Sequence, residues 1–135
     1  MIKIMIKKLA DKMGLTKRSR LVHRVEAELD YLSAIGFELN PTNISDGIAQ
    51  YFEAQNIGGM RGSSNYCPVA NYLKPVAQTR VGHVWLTVVG PPFDANRHRY
   101  DRYDIILPLS VSRFVKEFDD GKYPKLGADE IPQTK

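Results

Sequence analysis

The sequence predicts an α+β fold: helices first, a small antiparallel sheet next, and a C-terminal covering helix last. Three features of the pattern carry this. Apolar residues recur at helical spacing through the first half of the chain. The alternation then becomes that of a strand, with Val84, Leu86 and Val88 on one side and His83, Trp85, Thr87 and Val89 on the other. Helical spacing returns at Val111, Phe114, Val115 and Phe118.

Taken in order, Ile2, Met5, Ile6, Leu9 and Met13 predict a basic amphipathic helix over 2–13, stopped by Gly14 and followed by Thr16 as a cap. A second helix is predicted over about Arg20 to Ile35 on the stripe Val22, Val25, Leu29 and Leu32. Gly36 supplies its left-handed end, and Phe37-Glu38-Leu39 reads as a brief strand before Pro41. Ser45 is the predicted N-cap of a third helix, about Asp46 to Asn56, which buries Ile48, Tyr51 and Phe52 and breaks at Gly58-Gly59. A short helix from Cys67 to Leu73 is opened by Pro68 and closed where Lys74 precedes Pro75.

The alternating strand is expected to be buried at least partly on both faces. Gly90-Pro91-Pro92 predicts a turn, and a second strand is expected over about Tyr103 to Leu107. Together they form a hairpin over about 82–107 with a long polar loop through Arg97-His98-Arg99. The last helix spans about Leu109 to Phe118 and ends at Gly121, with Tyr123 and Leu126 docking as an extended tail. This divides the chain into a basic arm at 1–20, one α+β domain at 21–126 and a flexible tail at 127–135.

With 135 residues, 43% of them hydrophobic, one domain can bury a core without metal or disulfide staples. A single cysteine excludes an internal disulfide and fits the cytoplasm. No apolar run approaches the roughly 18 residues of a membrane span, and MIKIMIKKLADKMG lacks the apolar core of a secretory signal. The net charge of +4 is unevenly spread. Residues 1–20 hold Lys3, Lys7, Lys8, Lys12, Lys17, Arg18 and Arg20 against Asp11 alone, and the remainder carries 12 basic and 14 acidic groups. Such asymmetry points the arm at an anionic partner: nucleic acid, an acidic protein surface or a membrane surface. The arm's short apolar face has no aromatic anchor, which disfavours the membrane. The other use of this pattern is a solvated amphipathic helix packed on the body.

The loop before Cys67 runs Gly58-Gly59-Met60-Arg61-Gly62-Ser63-Ser64-Asn65-Tyr66. Cys67 at a helix N-terminus, with Arg61 before it, has two readings. A thiolate there would be stabilised by unpaired amides, and His83 would be its candidate base in a thiol-dependent enzyme. A buried cysteine at a Cys-Pro helix start is instead a small packing and capping residue, which is the reading favoured here. Cys67, His83 and Asp94 can be assembled as a Cys-His-Asp set, but their spacing matches no catalytic signature. The loop lacks the lysine of a phosphate-binding P-loop, and three dispersed histidines with one cysteine give no metal-ligand spacing. No cofactor motif is present.

Gly59-Met60-Arg61-Gly62, between two predicted helices and followed by helix, strand, strand and helix, resembles a KH domain over about residues 37–119. That resemblance implies phosphate contacts from Gly59, Arg61 and Gly62. Ser63-Ser64-Asn65-Tyr66 stand where such a loop would enter its second helix directly. A second resemblance covers about 58–126. Cys67, Pro68, Ala70, Tyr72 and Leu73, with Leu107, Pro108, Phe114, Val115, Phe118, Asp119, Gly121, Tyr123, Pro124 and Leu126, are similar to small uncharacterised proteins of bacteria and their phages. It implies an accessory protein and brings no activity with it.

Arg97-His98-Arg99-Tyr100-Asp101-Arg102-Tyr103 interleaves cations with aromatics, as single-strand binding surfaces do, although Asp101 and Asp104 also allow internal ion pairing. The expectation is therefore a small cytoplasmic, non-catalytic binding module. Its first candidate partner is nucleic acid, met by the arm, Arg61, Arg97 and Arg99. The alternatives are a protein-directed regulator or inhibitor and a thiol-dependent enzyme using Cys67. Trp85 and the outer face of the hairpin are the expected interface; the oligomeric state is not legible.

Overall fold

The structure, a computed structural model, describes the backbone of residues 17–94 and 99–127 and the side chains of 20–89 and 102–127. It is α+β, with helices at both ends of a three-stranded antiparallel sheet. The helices are α1 (Lys17–Leu39), α2 (Ile44–Ala54), α3 (Pro68–Leu73) and α4 (Leu109–Asp119), and a short 3-10 turn follows at Pro124–Leu126. The strands are β1 (Gln78–Val81), β2 (Trp85–Asp94) and β3 (Arg99–Ile106), in spatial order β1-β2-β3. The predicted helix over 2–13 lies outside the described residues, and residues 17–20 of the expected arm form the first turn of α1.

α1 does not stop at Gly36 as the sequence predicts, and Phe37–Leu39 is helical rather than a strand. Gly36 serves contact and not chain reversal. A β-carbon on Gly47 of α2 would sit 1.9 Å from the Gly36 carbonyl oxygen, and one on Gly36 would sit 2.7 Å from Ile48 Cγ1. The two helices therefore cross backbone to backbone at a glycine pair. The helix ends at Asn40, whose amide donates to the Gly36 carbonyl and whose side-chain oxygen accepts from the Asn43 amide across Pro41.

The cap of α2 is Asn43, which accepts the Asp46 amide; Ser45, the predicted cap, is inside the helix. Both residue types cap well, and a tertiary partner decides between them. Ser45 is buried and donates to Glu117 Oε1 at 2.6 Å, with the Tyr123 hydroxyl 2.9 Å away. That hydroxyl also lies 2.8 Å from Asp46 Oδ1 and 3.0 Å from Glu117 Oε1, and Lys122 Nζ sits 3.1 Å from Asp46. Burial raises the Glu117 pKa, but the hydrogen bonds from Ser45 and Tyr123 and the Lys122 charge outweigh it and leave it below the ordinary value. The clasp joins α2 to α4 and to the tail.

The core is continuous. Val25, Leu29 and Leu32 of α1 meet Ile48 and Phe52 of α2, Leu73 of α3, Leu86 and Val88 of β2, and Val111, Phe114 and Phe118 of α4. Phe114 lies edge-on to Phe52 at 5.3 Å and stacks with Tyr123 at 5.3 Å. Tyr72 of α3 donates to Glu28 of α1 at 2.9 Å.

β1 has no counterpart in the predicted hairpin. Thr79 and Val81 point inward and Gln78 and Arg80 outward, a four-residue alternation too short to stand out in the sequence. β2 also runs through Gly90-Pro91-Pro92 instead of turning there. β1 pairs with β2 only as far as Val89, so the prolines fall where β2 has one neighbour, and the register shifts on either side of Pro92. The expectation that β2 is partly buried on both faces holds for Leu86, Val88, Thr87 and Val89 but not for Trp85, which is 54% exposed.

Replacing Gly47 with alanine forces its methyl group into the Gly36 carbonyl and must separate α1 from α2. A loss of about 3 kcal/mol or more of stability is expected. Urea denaturation checks this, and a Gly47→Ala midpoint within error of the parent would contradict it.

Candidate functional site

The glycine loop, the β1–β2 turn and α4 surround an open cleft of about 560 Å³. Its walls include Gly62, Ser64, Cys67, His83, Trp85 and Asp119. The sequence brings these together through packing of the loop on the tail. Gly59 donates its amide to Leu126, and a β-carbon there would lie 2.4 Å from the Tyr66 carbonyl oxygen. Ser64 then accepts the Val81 amide, tying the loop to the edge of β1.

Asp119, at the end of α4, organises the cleft. Its Oδ1 accepts the Gly62 amide at 2.9 Å, and its Oδ2 lies 2.8 Å from His83 Nε2. Gly62 has a positive φ of 73°, which turns its amide toward the carboxylate. The glycine loop thus already holds an anion, supplied by the chain itself. The Ser112 hydroxyl donates to the His83 carbonyl, which fixes the turn from α4 as well. The carboxylate beside His83 is therefore Asp119; Asp94, the one considered from the sequence, pairs with Arg99 in the β2–β3 register.

Cys67 is the N-cap of α3, and its Sγ accepts the Ala70 amide at 3.5 Å. It is 2% exposed. Burial pushes the thiol up to about 11, the amides of Ala70 and Val69 oppose that shift, and the Asp119 charge adds to it. No hydrogen bond joins Cys67 to His83 among the described residues. In this arrangement the thiol is protonated at neutral pH and acts as a cap inside the core.

The second surface is the outer face of the sheet. Residues paired across the strands share a face. Gln78, Val89 and Arg102 form one row, Arg80, Thr87 and Asp104 the next, and Trp85 with Ile106 the last. Thr87 donates to Asp104 at 2.8 Å. The aromatic end of this face is open, with Trp85 54% and Ile106 63% exposed. Tyr103, counted from the sequence as a stacking group, instead points inward and packs against the core. Its neighbour Arg102, also in β3, is exposed.

Comparison with family models, with curated proteins and with solved structures finds no match to this chain.

Of the residues singled out in the sequence, Lys3, Lys7, Lys8, Lys12 and Arg97 lie outside the described residues. Lys17, Arg18 and Arg20 open α1. Arg61 is exposed on the glycine loop, with Nη1 4.0 Å from where a β-carbon on Gly121 would sit, beside the end of α4. Arg99 begins β3. Cys67 and His83 both line the cleft, with no hydrogen bond between them among the described residues. Arg80 is not among the residues the sequence singles out, Asp119 enters there only through a resemblance, and Arg102 only as part of the 97–103 stretch. The alternation of residues 78–81 is the only signal for Arg80, and nothing local marks Asp119 as the partner of a histidine 36 residues away. Among the described residues no group of His, Cys, Asp and Glu could hold a metal ion, and no helix is long and apolar enough to cross a membrane.

Thiol labelling checks the state of Cys67. A pKa near 11 in place of the ordinary 9 lowers the thiolate fraction about a hundredfold, and burial slows attack further. Native protein at pH 7.5 is expected to label at least a hundredfold more slowly than urea-unfolded protein. Because the folded pKa is raised, the associated stability is complete below about 9 and is lost as pH rises through about 11. Labelling at the unfolded rate under native conditions would contradict the burial of this thiol.

Proposed function

We propose that this protein is a small non-catalytic binding module that engages single-stranded nucleic acid. Trp85 serves as the stacking platform, and Arg80 and the basic N-terminal residues serve as phosphate contacts. The observation that carries this is an exposed tryptophan on the open face of a sheet that also presents arginine. An indole held on a flat strand surface offers a stacking plane to an unpaired base, and such stacking is tolerant of sequence. The charge asymmetry supports the same partner: seven basic groups and one acidic group fall in residues 1–20, and Lys17, Arg18 and Arg20 of that set are built into α1. The neutral, buried Cys67 supports a non-catalytic role.

A second reading, a protein-directed regulator or inhibitor, draws on Ile106, which is exposed, pairs with Trp85 across the strands and extends its apolar surface. The two readings separate on one titration.

Fluorescence anisotropy of a labelled oligothymidylate at low salt is expected to show binding. Trp85→Ala should weaken it by about 1–3 kcal/mol, on the order of ten- to a hundredfold in Kd. Changing Lys3, Lys7, Lys8 and Lys12 together to glutamine should reduce the slope of log K against log salt by about 3. No binding at low salt, or unchanged affinity in Trp85→Ala, would remove the nucleic-acid reading and leave the protein-directed one.

A further inference from the structure

We infer that the free edge of β3 is a self-association surface, on which a second copy of this chain pairs antiparallel to extend the sheet to six strands. β3 is an edge strand of eight residues. The Leu107 amide donates to the Val84 carbonyl, so in this register residues 103, 105 and 107 aim their main-chain groups at β2. Those of Arg102, Asp104 and Ile106 point outward along the edge. All three residues are exposed, and among the described residues no other element takes up their main-chain groups. An exposed row of amides and carbonyls is a template for another strand.

The occupant is identified by charge. Two strands related by a two-fold axis at Tyr103 would set Arg102 opposite Asp104 of the partner subunit and Asp104 opposite Arg102 of the partner subunit. Both residues have outward main-chain groups, so this register also forms hydrogen-bonded pairs. Opposite charges facing across strands stabilise the pair, and like charges oppose it. Moving the axis by one residue to Arg102 sets Arg102 against its own copy, and moving it to Asp104 does the same for the carboxylates. A monomer that guards its edge uses charges that repel an approaching copy. Here the charges attract in one register, and the two-fold arrangement closes on itself without forming a filament. The resulting sheet would carry two Trp85 side chains on one face. This inference stands on the strand edge and is tested without nucleic acid.

Sedimentation velocity of the full chain at micromolar concentrations and 0.15 M salt, roughly physiological, is expected to show a concentration-dependent monomer–dimer equilibrium. Asp104→Arg should weaken the dimer at least tenfold, and the exchange Arg102→Asp with Asp104→Arg should restore it to within a few-fold. Circular dichroism confirms folding; should Asp104→Arg not fold, Arg102→Asp alone carries the same expected loss. A wild-type monomer throughout the series overturns the inference. So does a charge-reversed variant that dimerises as tightly as the parent, or an exchange that fails to restore the dimer.

Discussion

The close crossing of Gly36 and Gly47 is the constraint on which the other contacts rest. With no side chain at either position, α1 and α2 approach at backbone distance, and α2 sits low enough for Ile48 and Phe52 to reach the core. Phe52 then meets Phe114 of α4, and Ser45, one residue from the N-terminus of α2, meets Glu117. That clasp recruits Tyr123 and so the tail, and the tail in turn supports the glycine loop through Leu126 and Gly59. The Phe52–Phe114 contact lies in the core, whereas the clasp is polar and the Gly59–Leu126 link is made by the main chain. The sheet gives its inner face to that core and leaves its outer face open.

Much of this was legible in the sequence because amphipathic period is a direct record of burial. The stripes of α1, α2 and α4 were readable, as were the Cys-Pro start of α3 and the docking of Leu126. The misreadings share a cause. Gly36 and Ser45 are residue types whose usual local roles, ending a helix and capping one, were displaced by a tertiary contact. Pro91 and Pro92 suggested a turn because the sequence does not show that the pairing of β2 with β1 stops at Val89 and leaves them an unpaired side. β1 itself is four residues long, below the length at which alternation stands out.

The site was legible to a smaller degree. The sequence drew attention to the glycine loop as a place for an anion or a reactive thiol. Its Gly62 amide is taken by Asp119, and its cysteine is a buried cap. Both facts depend on residues more than 50 positions apart or on burial, which no local motif encodes. Trp85 and the outer face of the hairpin could be named in advance as an interface, although the alternation was taken to mean partial burial on both faces and Trp85 is 54% exposed. Its company on that face, Arg80 and the open edge of β3, required the strand order and register. The loop joins β1, α3, α4 and the tail, whereas the outer face of the sheet carries the exposed Trp85 and Ile106.

The central claim is that Trp85 is the point of contact with an unpaired base, and the chain carries its own reporter of this. Trp85 is the only tryptophan, so intrinsic emission comes from this one side chain. Titration with unlabelled single-stranded oligonucleotide at low salt is expected to quench that emission in a saturable manner, because a stacked base contacts the indole directly. Unchanged tryptophan emission under conditions where the oligonucleotide is bound would place the contact elsewhere and contradict the account.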